Sequence, residues 1–190
     1  MDKTRQYSPT IDGIRPDHTA RYRFASSLIP IGRHVLDMAC GCGYGSWMLK
    51  QAGMIVTGVD IAQEAIDYAQ KHYAGPSFIC QKAEETKGTW GAIVSFETIE
   101  HLPDPCRAFE GVSAPLLIAS VPNEEFYPFS KERFAGDKYP HLRHYTVAEF
   151  EALLEAMGYA VSDWYCQKDK RGEVIKGTDG MFLIAVARVI

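Results

Sequence analysis

Residues 35–46 read VLDMACGCGYGS: an apolar run passes straight into Gly41, Gly43 and Gly45, one glycine at every second position. A short apolar run that ends in a glycine-rich turn is the hand-over from a buried parallel strand to a helix. Glycine lets the backbone approach a ligand closely, and the turn presents N–H groups at a helix start. Open parallel sheets bind their ligands there, beyond the carboxyl ends of the strands. Ser46 stands where the dinucleotide fingerprint asks for another glycine, so that fingerprint fails by one residue. Asp60, at the end of the next apolar run, supplies a carboxylate that can accept both hydroxyls of a ribose.

Outward from this loop the chain alternates. Residues 16–29 read as a helix with Pro16 at its start. Strands are expected at 34–39, 54–60, 77–81, 91–96 and 115–121. Helices fall between them at 44–53, closed by Gly53, and at 62–73, where Ile66, Ala69 and Tyr73 form one stripe. A short helix follows in PDPCRAFEGV. Such alternation implies right-handed crossovers and a parallel sheet covered on both faces. The pattern breaks at 123–145, a long polar-aromatic segment, and loops of that length are usually functional or mobile. TVAEFEALLEAMGY is a helix with a Thr146/Glu149 capping box and Gly158 at its end. The runs 161–167 and 181–189 read as an antiparallel hairpin at the sheet edge.

The bulk numbers fit one soluble domain over residues 1–190, with 46% hydrophobic and 23% charged residues. A net charge of -4 gives no support for broad phosphate-backbone binding. No apolar run is long enough to cross a bilayer, so no membrane insertion is expected, and MDKTRQYSPT lacks the apolar core of a signal peptide. The five cysteines fit no zinc spacing and read as reduced thiols of a cytoplasmic protein.

A second site is suggested by SFETIEHL, residues 95–102. In a helical turn, Glu97, Glu100 and His101 would stand at i, i+3 and i+4 on one face. That is a ligand-type cluster at the mouth of the sheet, or else a solvated helix start.

The ordered motifs VLDMACGCGYGS, GVDIAQEAI, FICQKAEE, AIVSFETIEHLPDP and IASVPN resemble the class I S-adenosylmethionine-dependent methyltransferases. RYRFA, SFETIEHL and KYPHLRHYTVAEF resemble, more narrowly, small stand-alone methyltransferases of surface glycans or small molecules. The resemblance implies an α/β, Rossmann-like, doubly wound, seven-stranded sheet, mostly parallel with the last strand antiparallel. It implies S-adenosylmethionine as cofactor, with Asp37, Gly41 and Gly43 along its methionine part and Phe96 facing the same arm. Asp60 would hold the ribose, Ile61 would pack on adenine, and Ala83 and Glu84 would line the adenine edge. Residues 1–30, with Arg21 and Tyr22, would form a helical lid, and 123–145 the acceptor-side loop. Two departures stand out. Lys82 occupies a position where an Asp is common, and EGVSAP replaces the usual Pro-Gly-Gly turn.

For chemistry, the Asn/Asp-Pro-Pro-Tyr stretch of amine methyltransferases acting on nucleic acid bases is missing after 91–96. Glu-x-x-Glu-His instead resembles metal-dependent O-methyltransferases: those of the ubiquinone pathway, and those acting on the terminal ribose of small RNAs. The resemblance implies a divalent metal, Mg²⁺ or Mn²⁺, held by Glu97, Glu100, His101 and His141, with His144 nearby. A hard cation binds both oxygens of a vicinal diol and lowers the hydroxyl pKa. The rival is metal-free general-base catalysis by His101 or His141. The expected acceptor is a small hydroxylated molecule such as a sugar or glycan precursor, with nucleic acid disfavoured. The alternatives are an N-methyltransferase of a small molecule or nucleic acid, and a catalytically silent cofactor-binding module. Phe126, Tyr127, Phe129, Phe134 and Tyr139 would stack on the acceptor or pack onto the domain itself.

Overall fold

β1 (His34–Met38) lies inside the sheet and is buried from Val35 to Met38. Val35 packs into one core layer, and Leu36 and Met38 into the other. The computed structural model describes residues 6–190, so residues 1–5 of the expected lid lie outside the described residues. From β1 the chain winds one way through α2 (Tyr44–Gln51), β2 (Ile55–Asp60), α3 (Gln63–His72) and β3 (Ser77–Cys80). A two-residue strand, β4 (Gly88–Thr89), precedes the return to β5 (Ala92–Phe96) on the other side of β1. Then follow α4 (Pro105–Phe109), β6 (Val112–Ser113) and β7 (Leu116–Pro122), with β4 and β6 forming a separate small sheet. α5 (Val147–Ala156), β8 (Tyr159–Gln167), β9 (Ile175–Lys176) and β10 (Phe182–Val189) complete the chain.

The strand order is β3-β2-β1-β5-β7-β10-β8-β9. The β1, β2, β3, β5 and β7 pairings are parallel, and β10 pairs antiparallel with both β7 and β8. The direction of winding reverses between β1 and β5, so a crevice opens beyond their carboxyl ends. Seven of these strands are the expected ones. The eighth, β9, is two residues on the loop between the last two, too short to leave a sequence pattern. The terminal hairpin sits differently from expectation. β10 reads FLIAVARV, is buried over six residues, and takes the interior place beside β7; β8, with its mixed burial, lies outside it. A strand apolar on both faces needs two neighbours.

One core layer packs Tyr22 and Ala25 of α1 (Pro16–Leu28), Ile29 just after it, Leu49 of α2 and Ile66 of α3 on the sheet. The other packs Phe109 of α4 and Phe150 and Leu154 of α5 on the opposite face. α5 carries the expected capping box, with Thr146 Oγ1 accepting the Glu149 N–H, and Gly158 follows at φ 86°. α1 and α2 meet closely at Gly45: a Cβ there would lie 1.9 Å from Tyr22 Cζ. Gly45→Ala must therefore push Tyr22, and α1 with it, off α2. The expected cost is about 1–3 kcal/mol, a fall in Tm of roughly 2–12 °C at this size. An unchanged melting curve would show that α1 does not rest on that glycine.

Candidate active site

The turn after β1 is built from left-handed backbone. Ala39, Gly41 and Gly43 have φ of 60°, 56° and 86°. The Gly41 N–H donates to Asp60 Oδ2 at 2.9 Å and the Ala62 N–H to Oδ1 at 2.8 Å. The carboxylate that ends β2 is thus held by two backbone amides, one from its own turn and one from the glycine loop. Beside it opens a cavity of about 760 Å³. Gly41, Asp60, Ile61, Ala83, Glu84 and Phe96 all line it, as does Lys82.

Asp37 and Gly43 lie behind that wall rather than on it. A Cβ on Gly43 would meet Ala69 Cβ at 2.5 Å and Phe78 Cζ at 2.8 Å, so this glycine serves the packing of the loop on α3 and β3. Asp37 is fully buried and accepts from Tyr22 Oη at 3.0 Å and Ser46 Oγ at 2.6 Å. Burial pushes its carboxyl up to about 7 against the pull of those two hydrogen bonds. Asp37 ties α1 to α2 and holds Tyr22, whose ring does line the cavity, edge-on to Phe96.

Arg21 is more than a lid residue. It is 1% exposed and lines the cavity, yet Nε and Nη2 have no hydrogen-bond partner. Nη1 donates to Gln167 Oε1 at 2.6 Å, Nη2 lies 3.6 Å from the Asp17 carboxylate, and the guanidinium covers the Phe182 ring. A buried guanidinium with unused donors is suited to an anionic ligand group. The sequence signal was the RYRFA stretch, but the partner Gln167 comes from the far end of the chain.

The segment after β5 corrects the one-face expectation. Glu97 is itself left-handed, at φ 50°, and only Ile99–His101 form a 3-10 turn. Its carboxylate turns toward β7, where Ser120 Oγ donates to Oε1 at 2.8 Å. Glu100 is fully buried, and neither carboxylate oxygen has a hydrogen-bond partner. Burial, with Glu97 nearby, pushes the Glu100 carboxyl well above the usual range.

The 123–145 segment docks on this turn. The Leu142 N–H donates to the Glu100 carbonyl at 2.8 Å, and His101 Nδ1 lies 3.0 Å from the Pro140 carbonyl. This brings Glu100, His101 and His141 together, one ligand atom from each, all within 4.8 Å. Among the described residues no other trio of this kind forms; Glu97 lines the same cavity outside the trio. Burial, with His101 and His144 close by, pushes His141 down to about 3, and burial also lowers His144. Of the aromatic side chains, Tyr127, Phe134 and Tyr139 line the cavity and Phe126 and Phe129 do not. Phe134 stacks on His141 with centroids 4.0 Å apart. Lys138 reaches Glu64 of α3 at 2.8 Å, so the segment spans from the β5 side to the β2 side.

A reversed last strand, a glycine loop after β1 and an acid closing β2 are features this chain shares with Rossmann-like methyltransferase folds. Residues 35–116 match a family described as a methyltransferase domain. A ubiquinone biosynthesis O-methyltransferase of Coxiella burnetii is 37% identical over 90 residues, covering 44% of this chain and 38% of that protein. The chain thus spans well under half the length of the curated relative it matches. In fold it is similar to an S-adenosylmethionine-dependent methyltransferase of Thermotoga maritima (TM-score 0.73, 19% identity, 92% and 90% of the two chains). It is also similar to one of Mesorhizobium loti (TM-score 0.71, 16% identity, 94% and 100%). No helix among the described residues is long and apolar enough to cross a membrane.

Proposed function

We propose that this chain transfers the methyl group of S-adenosylmethionine to a hydroxyl oxygen of a small diol, such as a sugar or glycan precursor, beside a divalent cation. The observation that carries the reading is Glu100, a buried carboxylate whose two oxygens have no hydrogen-bond partner and whose Oε1 lies 3.9 Å from His101 Nε2. A buried charge without a partner costs several kcal/mol, and a cation removes that cost. The donor set therefore fits a metal: Glu100, His101 and His141 would hold it, and Glu97, turned toward Ser120, stands outside them. Two imidazoles shift the preference from Mg²⁺ toward Mn²⁺ or its first-row neighbours. When bound, the cation would engage both oxygens of the diol and lower the pKa of the reacting hydroxyl.

The protein's own residues do the positioning. Asp60 takes the ribose hydroxyls, and Ile61, Ala83 and Glu84 border the base. Arg21 takes the methionine carboxylate with Nε and Nη2, and Phe96 and Tyr22 wall the methionine arm. Held in line, the acceptor oxygen forms its bond to the methyl carbon as the carbon–sulfur bond breaks; S-adenosylhomocysteine leaves with the bonding pair, the hydroxyl proton passes to solvent, and proximity accelerates the step. His141 as an unassisted base fits less well, because a base driven down to about 3 is a weak proton acceptor at neutral pH. In this reading α1 and residues 6–15 before it form the cofactor-side lid of a single domain, and 123–145 the acceptor side. A small acceptor rather than nucleic acid agrees with the net charge of -4. A cytoplasmic location agrees with five free cysteines.

The test strips metal with a chelator and follows S-adenosylhomocysteine release with a panel of diols. Release should fall by more than a hundredfold and return with added Mn²⁺ better than with Mg²⁺. Full activity in chelator would remove the metal from the proposal.

A further inference from the structure

We propose that His144 is a positioning residue that sets the ring tautomer of His141 and leaves the lone pair of His141 on Nε2. The argument follows hydrogen-bond polarity along a short chain. The Tyr127 carbonyl can only accept, and His144 Nδ1 lies 2.6 Å from it, so that nitrogen carries the proton. A neutral imidazole has one N–H, which makes His144 Nε2 an acceptor. His144 Nε2 lies 2.9 Å from His141 Nδ1, so His141 Nδ1 must donate. Nε2 is then the one ring nitrogen of His141 with a lone pair to offer.

The chain starts on a backbone carbonyl, so neither ring can reverse its polarity without losing a hydrogen bond in a buried site. Stacking holds the rings in plane. Phe134 lies parallel to His141, and the Tyr127 ring covers His144 with centroids 5.0 Å apart. His101 is treated alike, with the Pro140 carbonyl fixing its Nδ1–H. Two imidazoles with distant positions in the sequence thus present the same atom, and in each case the 123–145 segment selects it.

The tautomer itself depends only on these contacts. Its consequence for metal binding rests on the function proposed above. Long-range ¹H–¹⁵N NMR on the ¹⁵N-labelled, metal-free parent reads the tautomers directly. His141 and His144 should both appear protonated at Nδ1 and bare at Nε2. A proton on Nε2 of His141, or an even mixture of tautomers, overturns the inference.

Two variants extend the test to Mn²⁺ titration. His144→Phe removes the acceptor and should mix the His141 tautomers and weaken Mn²⁺ binding about 10–100-fold. His144→Gln keeps a carbonyl for His141 and an amide N–H for Tyr127, and should retain affinity within a few-fold. Equal affinity in both variants, or equal loss in both, counts against His144 as the positioning group. A parent that shows the tautomer but binds no Mn²⁺ supports the inference and overturns the metal reading.

Discussion

Asp60→Ala should weaken S-adenosylhomocysteine binding at least a hundredfold while the protein still folds. Two losses combine. The ribose hydroxyls lose a carboxylate, and hydrogen bonds to charged groups contribute about 1.5–3 kcal/mol each. The Gly41 and Ala62 amides lose the acceptor that holds the glycine loop against β2. At about 1.4 kcal/mol per factor of ten, two such bonds account for a hundredfold or more. Asp60→Asn keeps one acceptor oxygen and should fall between, near tenfold. Parent-like affinity in Asp60→Ala would mean that the nucleoside sits elsewhere.

Glu100→Met should act in opposite directions on activity and stability. Methyl transfer should fall by more than about a hundredfold, because a bound cation contributes several kcal/mol to stabilising charge in the transition state. The metal-free protein should become more stable. A buried polar group without partners costs about 1–3 kcal/mol, and methionine has similar volume without that cost. The Tm of the metal-free variant should therefore rise by roughly 2–12 °C. A site residue that destabilises its own fold is expected where function and packing conflict. A variant with parent activity and a lowered Tm would identify Glu100 as an ordinary structural acid.

The fold was legible because it rests on local pattern. Seven apolar runs bounded by turn residues became β1, β2, β3, β5, β7, β8 and β10 with shifts of one or two residues. Thr146, Glu149 and Gly158 marked α5 through contacts within one helical turn. The lining of the cavity beside the glycine loop was legible for the same reason, since Gly41, Asp60 and Ile61 are strand-end and loop residues at a switch point.

The rest depended on long-range contacts or unusual backbone. Spacing put Glu97 on one face with Glu100 and His101, but the left-handed φ of Glu97 and the Ser120 hydroxyl on β7 turn it away. Asp37 and Gly43 sit in the cofactor loop motif, yet packing against Tyr22, Ser46, Ala69 and Phe78 puts them behind the wall. Arg21 owes its fixed position to Gln167, and His141 owes its place in the trio to the Leu142 N–H bond to the Glu100 carbonyl and the contact of the His101 ring with the Pro140 carbonyl. Contacts between such distant segments leave no periodicity in the sequence.

The direct test of the central assignment is titration calorimetry of S-adenosylhomocysteine into the parent protein. Saturable heat at one site per chain is the predicted result, with the amides of the glycine loop and the carboxylate closing β2 forming the cradle. No heat across the titration would contradict it, leaving the 760 Å³ cavity without its nucleoside.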